Sequence, residues 1–204
     1  FIFGYEKDGR TFVGASPEIL VRHRGSEILS YALAGTASKD GPNAWTKEQL
    51  LSDKKNLFEH NIVRDRIVNT MKQITPDVTV GETGIMELAH LYHLRTIITA
   101  KDSTKSLVEW AKLLHPTPAL GGEPREKAMA LLETYEAHER GMYAAPFGFM
   151  KDMGDGIVVV AIRSALIMDN ILYAYAGCGV VADSDADEEY IETNNKMRTI
   201  LEAL

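Results

Sequence analysis

The sequence contains a single cysteine, no long apolar run and no excess of positive charge. One cysteine, Cys178, excludes an internal disulfide and is typical of a protein kept in the reducing cytoplasm. No stretch approaches the roughly 20 apolar residues of a membrane-spanning helix, and no signal peptide is visible. The net charge of −7 argues against nucleic acids or anionic membranes as partners. We therefore expect a cytoplasmic protein that needs no membrane, no nucleic acid and no obligatory protein partner.

The chain has the composition of an ordinary globular domain. Its 204 residues are 45% hydrophobic and 25% charged, which is enough for a substantial core. No internal repeat or low-complexity linker divides it. The chain begins with the strand-like run Phe1 to Tyr5 instead of a methionine. We therefore expect residues 1–204 to be the C-terminal part of one longer domain, truncated at its N-terminus.

The residue pattern predicts strands before and after helices, without strict alternation of the two. A strand meander is predicted up to residue 36, and a long helix from Thr46 to Met71. Further strands are predicted at 78–81, 84–88, 94–99, 147–150, 156–168 and 171–176, and helices at about 104–114 and 124–135. This order predicts an α+β fold with largely antiparallel sheets flanked by helices.

A glycine turn and an acidic helix close the sequence. The turn, residues 177–182, has the GxGxxA spacing of a dinucleotide-binding loop. The helix that follows opens with five acidic residues, which would repel a pyrophosphate, and no second parallel strand follows it. We therefore interpret the turn as a close approach of backbone to a different anionic ligand, held through a cation.

The pattern also places the boundaries of this last helix. Asp183 or Ser184 is the predicted N-cap, because short polar side chains accept hydrogen bonds from the first turn. An apolar stripe is predicted on one face of the helix, formed by Tyr190, Met197, Leu201 and Leu204. Glu189, Glu192 and Lys196 lie beside that stripe.

Two other motifs do not support the functions they suggest. Residues 14–18 begin like the nucleophile elbow of a hydrolase, but Glu18 replaces the last glycine and Pro17 follows the serine. Histidines that could share a zinc ion lack a supporting ligand motif, so we expect them to be satisfied by ordinary hydrogen bonds. These histidines are His60, His90, His93 and His115.

Arg163 is the most unusual polar residue, because it lies in a run of valine, isoleucine and leucine. An arginine in such a run is costly unless a carboxylate pairs with it, from the protein or from a ligand. The sequence leaves both alternatives open.

Several segments, taken in order, resemble the chorismate-utilising enzymes. This family includes isochorismate synthases, salicylate synthases and component I of anthranilate and aminodeoxychorismate synthases. The segments are SPE (16–18), LAGT (33–36), DKKNLFEH (53–60), HPTPALGG (115–122), RGMY (140–143), IRSA (162–165), AGCG (176–179) and ETNNK (192–196). HPTPALGG is similar to the isochorismate synthase version, and residues 143–149 to the menaquinone-pathway branch. The resemblance covers nearly the whole chain and implies the anthranilate synthase component I-like fold.

The resemblance implies a magnesium site and a substrate site. Glu59 and Glu192 match Mg²⁺-binding carboxylates, and Glu189 matches a residue that orients a metal-bound water. Arg163 and Tyr143 match the residues that hold the enolpyruvyl carboxylate of chorismate. Further substrate-binding residues are implied at Gly35, Thr36, Ala119, Gly177, Gly179 and Lys196, and His93 matches a histidine near the leaving hydroxyl.

The implied reaction adds water at C2 of chorismate and removes the C4 hydroxyl, which gives isochorismate. Glu18 matches the general acid that protonates the leaving hydroxyl, and for this its pKa should be raised. The family's catalytic base is a lysine in a preceding strand, and we find no counterpart here; Lys7 lies in a turn. The alternatives are a related enzyme that uses ammonia or releases pyruvate, and a non-catalytic ligand-binding domain.

Overall fold

The computed structural model describes residues 1–41 and 44–203. Its strands are β1 (Ile2–Lys7), β2 (Arg10–Ala15), β3 (Ile19–Arg24), β4 (Glu27–Ser38), β5 (Val78–Val80), β6 (Gly84–Glu87), β7 (Leu91–Lys101), β8 (Pro146–Met150), β9 (Gly156–Val160), β10 (Ser164–Met168) and β11 (Ile171–Tyr175). Its helices are α1 (Lys47–Ser52), α2 (Lys54–Lys72), α3 (Leu107–Leu114), α4 (Pro118–Gly121), α5 (Arg125–Tyr135) and α6 (Ala186–Leu201).

The strands form two antiparallel sheets. The larger has seven strands in the order β5-β7-β4-β3-β9-β8, with β6 also paired to β7. The smaller has four strands in the order β1-β2-β10-β11. Every pairing between the described strands is antiparallel. The predicted α+β class with antiparallel sheets is therefore confirmed.

The main core lies between the larger sheet and helices α2 and α3. Trp110 on α3 and Met71 on α2 are fully buried, and they pack with the sheet residues Leu20 and Ile28. Burying side chains of this size contributes roughly 1.5–3 kcal/mol each to the free energy of folding. This packing fixes α2 against the larger sheet, with one side of the helix beside the end of β4.

The single long helix predicted from Thr46 to Met71 is wrong, because Asp53 divides it. Asp53 has extended backbone angles, φ −75° and ψ 123°, so it cannot continue a helix. Its backbone N–H closes α1 on Leu50 O, while its side chain accepts from Asn56 N to begin α2. One residue therefore ends the first helix and caps the second.

The continuous strand predicted over 156–168 is also wrong. β9 ends at Val160 in the larger sheet and β10 begins at Ser164 in the smaller one, so the chain changes sheet between them. Arg163 has φ +52°, a left-handed value that an interior strand residue does not adopt. Arg163 therefore lies at a junction between sheets and not within a strand.

A second crossing lies directly beside the first. β2 in the smaller sheet leads through residues 16–18 into β3 in the larger sheet. The two crossings are tied by backbone hydrogen bonds, from Ala15 N to Arg163 O at 3.0 Å and from Val160 N to Glu18 O at 3.1 Å. The fold thus brings Glu18 and Arg163 together at the junction of the two sheets.

The last helix differs from its prediction in two respects. Its N-cap is Asp185, and not Asp183 or Ser184. The predicted apolar stripe is wrong, because Tyr190 is 68% exposed and Leu201 55% exposed, whereas Glu189 is buried. Leu204 lies outside the described residues. Helix α4 was not predicted, and no helix within residues 1–41 and 44–203 combines the length and apolar character that a bilayer crossing requires.

Candidate active site

A cavity of about 870 Å³ opens at the junction of the two sheets. Its wall is completed by α2, α4, α5 and the glycine turn at 176–182. Ten of the predicted site residues line it: Glu18, Thr36, Glu59, His93, Ala119, Tyr143, Arg163, Gly177, Gly179 and Lys196. The others, Gly35, Glu189 and Glu192, do not line it but contact residues beside it. The structure thus brings the predicted residues together, while their roles stay predictions.

Glu18 is a buried acid at this junction. Its side chain is 2% exposed, and Oε1 has no hydrogen-bond partner among the described residues. Ser16, the serine of the rejected hydrolase motif, instead fixes the turn by accepting from Glu18 N at 3.2 Å. Burial raises the pKa of Glu18 from 4.5 to about 8, although Lys196 and Arg163 act in the opposite direction. Glu18 is therefore protonated at neutral pH and able to donate a proton.

Arg163 is buried without a carboxylate partner in the described part of the chain. It is 4% exposed, its Nη2 donates to His93 Nε2 at 2.9 Å, and its Nη1 has no partner there. Burial lowers the pKa of Arg163 to about 10, so the guanidinium stays charged at neutral pH. Of the two alternatives left open by the sequence, this geometry favours a carboxylate supplied by a ligand.

His93 connects Arg163 to Thr36. Arg163 can only donate, so Nε2 of His93 is the acceptor and Nδ1 carries the proton. Nδ1 then donates to Thr36 Oγ1 at 3.0 Å. Burial lowers the pKa of His93 well below its usual range, and Arg163 and Lys196 act in the same direction. His93 is therefore a neutral imidazole with a defined tautomer.

The glycine turn brings backbone close to two functional side chains. A Cβ on Gly177 would lie 3.0 Å from the Tyr143 hydroxyl, and a Cβ on Gly179 would overlap Glu59 Oε1. Lys196 Nζ donates to Gly177 O at 2.9 Å. The Tyr143 ring stacks on Tyr175 with centroids 5.3 Å apart. A side chain at either glycine would crowd Tyr143 or Glu59, and the expected approach of this backbone to an anionic ligand stays a prediction.

Glu59 and Glu192 form a repelling pair of carboxylates. Burial, together with the charge of Glu192, raises the pKa of Glu59 to about 7, against opposing effects of Lys196 and Lys55. Glu192 is paired with Lys196. Two carboxylates, one of which has its pKa raised by the negative charge of the other, are suited to a hard divalent cation such as Mg²⁺. These two residues fit the predicted metal.

Glu189 fits a metal role less well. It is buried, it is paired with Lys55, and it accepts from Ser184 Oγ at 2.6 Å. Burial alone would raise the pKa of Glu189, but Lys55 and Ser184 outweigh this and lower it. Within residues 1–41 and 44–203, no group of three or more His, Cys, Asp or Glu side chains is arranged to hold a metal ion. A water-mediated role for Glu189 stays a prediction.

The histidines are satisfied separately, as expected. Buried His60 contacts Ala34 O and Thr96 Oγ1, at 3.2 and 2.7 Å. His90 contacts the carboxylates of Asp40 and Glu202, and His115 contacts Ala144 O. In the described part of the chain these histidines lie in separate hydrogen-bonding environments, and no group of three or more potential metal ligands is found there.

Sequence reasoning missed three residues of the site. Lys55 neutralises Glu189, Asn56 contacts the bulge that precedes Thr36, and Cys178 lines the cavity. Burial raises the pKa of the Cys178 thiol to about 11, so it is not a nucleophile. A usable signal existed for all three, because Lys55 and Asn56 lie within the DKKNLFEH segment and Cys178 lies within the AGCG segment.

We predict that Gly179→Ala disrupts the carboxylate pair with little loss of stability. The new methyl group would meet the flexible end of Glu59, which can move at low cost. Thermal unfolding should stay near wild type, while dependence of activity on Mg²⁺ should shift to concentrations at least about tenfold higher, a cost of about 1.4 kcal/mol. Gly84→Ala is the matched control, since a Cβ there meets nothing within 4 Å and lies outside the cavity. An unchanged Mg²⁺ response in Gly179→Ala would contradict the prediction.

The fold and the site together define an α+β domain of two antiparallel sheets with a cavity of acidic and basic side chains at their junction. The cavity is lined by the buried acid Glu18, by Glu59, and by Arg163, which has no carboxylate partner among the described residues. The model of the family described as "Chorismate binding enzyme" matches residues 1–204, and the chain belongs to that family.

Known relatives agree with this membership. The chain is 39% identical over 210 residues to the isochorismate synthase MenF of Bacillus subtilis, covering 100% of this chain and 44% of the relative. It is 38% identical to the salicylate biosynthesis isochorismate synthase of Pseudomonas aeruginosa, with the same coverage. The structure of the menaquinone-specific isochorismate synthase MenF of Escherichia coli superposes with a TM-score of 0.83 at 31% identity, over 96% of this chain and 47% of that one. The chain thus spans less than half the length of these relatives.

Proposed function

We propose that this chain supplies the chorismate-binding and acid-catalytic part of an isochorismate synthase, acting in the menaquinone pathway. The observation that carries the proposal is Glu18, a buried acid with a pKa of about 8 that shares its cavity with Arg163 and Lys196. An acid with this pKa donates a proton near neutral pH, and two cations beside it suit a dianionic substrate. The isochorismate synthases among the relatives support the same reaction.

Chorismate carries two carboxylates, and the cavity offers separate cations for them. Arg163 presents its free Nη1 beside Tyr143, whose pKa is raised by burial so that its hydroxyl stays a donor. We assign the enolpyruvyl carboxylate to this pair, because a planar guanidinium suits a planar carboxylate. We assign the ring carboxylate to Lys196 and the glycine turn. Thr36 and Ala119 then line the space for the ring.

In the proposed reaction, water adds to C2, the ring double bonds shift, and the C4 hydroxyl leaves. Glu18 gives its proton to the departing hydroxyl, which leaves as water. A base takes a proton from the attacking water, so the net change is an isomerisation. Neutral His93 keeps Arg163 oriented during these steps without exchanging a proton itself.

No described residue is assigned as that base. Lys196 is the lysine that the described residues contribute to the cavity, and it is already engaged by Glu192 and Gly177 O. Lys7 lines a different cavity, of about 520 Å³. The lysine base that the resemblance implies therefore has no counterpart among the described residues.

Glu59 and Glu192 are the residues that would hold Mg²⁺. When bound, the ion would supply positive charge that offsets the two carboxylates and attracts the ring carboxylate of the substrate. Without such a cation, the negative charge of this pair opposes the binding of an anion. A cation held by Glu59 and Glu192 would therefore explain how a site with acidic side chains binds an acidic substrate.

The test is product analysis with chorismate and Mg²⁺, using the full-length protein. We expect isochorismate as the product, identified by chromatography. Release of pyruvate with salicylate, or anthranilate formed only with ammonia, would assign a different member of the family. Mg²⁺-dependent binding of chorismate without any product would indicate a non-catalytic binding domain.

We predict that Glu59→Gln and Glu192→Gln each weaken the response to Mg²⁺. Replacing one of two carboxylate ligands removes a charge that the cation needs, so half-maximal activity should require about 10–100-fold more Mg²⁺, as measured for lost metal-site partners. The measurement is initial rate against Mg²⁺ concentration. Glu188→Gln on the exposed face of α6 is the control. If both variants keep the wild-type Mg²⁺ response, the metal assignment is wrong.

A further inference from the structure

A bulge in β4 positions Thr36 beside the cavity. The pairing of β4 with β7 shifts register between Ala34 and Thr36, and Gly35 between them has φ +77°. Bulges interrupt the regular hydrogen bonding of a strand and redirect the following side chain. Here the Thr36 N–H donates to the side chain of Asn56, with Oδ1 at 3.0 Å. The bulge is thus held from outside its own sheet, by helix α2.

The Asn56 side chain is itself fixed. It is 5% exposed, and its Nδ2 donates to Asp53 Oδ1 at 2.8 Å. The donor at one end and the acceptor at the other define the orientation of the amide. The same Oδ1 also accepts from the backbone N–H of Asn56, and this bond, which caps α2, does not use the Asn56 side chain. A change of the Asn56 side chain therefore leaves the cap in place.

The hydrogen bonds continue from Thr36 into the site. Thr36 Oγ1 accepts from His93 Nδ1 at 3.0 Å, and His93 Nε2 accepts from Arg163 at 2.9 Å. His93 and Arg163 are both buried, so neither has water as an easy substitute partner. A cavity residue thus depends on a side chain that does not line the cavity.

We propose that Asn56 is a positioning residue, which holds the Gly35–Thr36 bulge so that Thr36 fixes His93 and His93 fixes the guanidinium of Arg163. The same arrangement requires a glycine at position 35, because a Cβ there would lie only 3.0 Å from Asn56 O. Asn56 acts through Thr36 and His93 and does not touch the substrate. The effect on chorismate rests on the proposed function, whereas the effect on His93 does not.

The test compares Asn56→Leu, Asn56→Asp and the paired exchange Asp53→Ser/Asn56→Asp. Leu fills a similar volume but removes both hydrogen bonds. Asp keeps an acceptor for Thr36 N–H but places a second carboxylate against Asp53. In the exchange variant the Ser hydroxyl can accept from the backbone N–H of residue 56 and donate to the Asp side chain at once, as Ser106 does with Glu109 at the start of α3, so it should rescue the Asp variant. Asn69→Leu, on the exposed side of α2, is the matched control.

The first readout is the His93 Nδ1–H signal and Thr36 amide exchange, by NMR of the substrate-free full-length protein. Wild type, the control and the exchange variant should show a protected Nδ1–H. Asn56→Leu and Asn56→Asp should lose it and exchange the Thr36 amide at least about tenfold faster, as for one lost hydrogen bond. The second readout is chorismate KM, which should rise about tenfold in the same two variants.

Two results would overturn the proposal. One is a protected Nδ1–H and a slow Thr36 amide in Asn56→Leu. The other is an exchange variant no better than Asn56→Asp, which decides the matter even if Asn56→Leu does not fold. If wild type binds no chorismate but the NMR pattern is as expected, the positioning role stands and the proposed function fails.

Discussion

Glu18→Gln is expected to lower kcat by about 10²–10⁴-fold, the usual contribution of general acid catalysis, while chorismate binding stays near wild type. Glutamine keeps the shape and the hydrogen-bonding ability of the protonated acid but cannot give up a proton. The measurements are steady-state kinetics and equilibrium binding. Glu123→Gln, at the exposed rim of the same cavity, is the matched control. A Glu18→Gln variant that keeps more than about a tenth of the wild-type kcat would remove Glu18 from the acid role.

The pH dependence gives the same assignment a second test. The acid must be protonated in the free enzyme, and its pKa is raised to about 8. Therefore kcat/KM should fall as the pH rises through about 8. The residual activity of Glu18→Gln should lack this alkaline limb. If the variant keeps the limb, another group causes it.

The contribution of Glu18 to the free energy of unfolding should also decrease as the pH rises. The pKa of Glu18 is higher in the folded protein than the ordinary value of 4.5, so its contribution to stability is fully present below 4.5. It is lost as the pH rises through about 8, because the buried carboxylate must then ionise. Glu18→Gln removes this penalty and should unfold at a higher temperature than wild type at pH 9 but not at pH 5. Equal differences at both pH values would contradict the burial.

The order of elements and the membership of the site could be predicted from the sequence. The strands have alternating apolar residues, and the site segments are short motifs with distinctive glycine, proline and charged residues. Glu18, Glu59 and Arg163 belong to different elements, yet the resemblance placed them in one site and the cavity contains all three. Glu18 and Arg163 meet because the chain changes sheet at 16–18 and again at 161–163.

The breaks within elements could not be predicted in the same way. The part of segment 156–168 that lies in the larger sheet is as apolar as the part that lies in the smaller sheet. The pattern of apolar residues therefore does not show that the chain changes sheet at Arg163. Likewise Asp53 lies in a helical pattern, and only its extended backbone shows that it divides the helix. Local periodicity reports which residues are buried, and not which sheet they are buried against.

Local sequence patterns also do not show which charged side chains are buried. The sequence pattern placed Tyr190 on an apolar stripe and Glu189 beside it, yet Glu189 is buried and Tyr190 is exposed. The reason is Lys55, a partner 134 residues away in the chain, together with Ser184. A buried carboxylate is tolerated when a cation and a hydroxyl satisfy it, and that information is tertiary.

Arg163→Lys is expected to reduce kcat/KM for chorismate by about 100- to 1,000-fold, mainly through KM. Lysine keeps the charge but loses the planar fork that can bond His93 and a carboxylate at once. Losing one or two charge-assisted hydrogen bonds costs about 3–4 kcal/mol, which corresponds to this range. The measurements are steady-state kinetics and equilibrium binding of chorismate. Arg66→Lys, on the exposed side of α2, is the control.

Arg163→Met then separates a ligand-binding arginine from a structural one. The guanidinium is buried without a carboxylate among the described residues, so the folded protein gains little from its charge. We expect Arg163→Met to abolish chorismate binding while the free energy of unfolding stays within about 1 kcal/mol of wild type or rises. Denaturant unfolding measures this. A loss of about 3–5 kcal/mol, as when a buried ion pair is broken, would instead mean that Arg163 serves the fold.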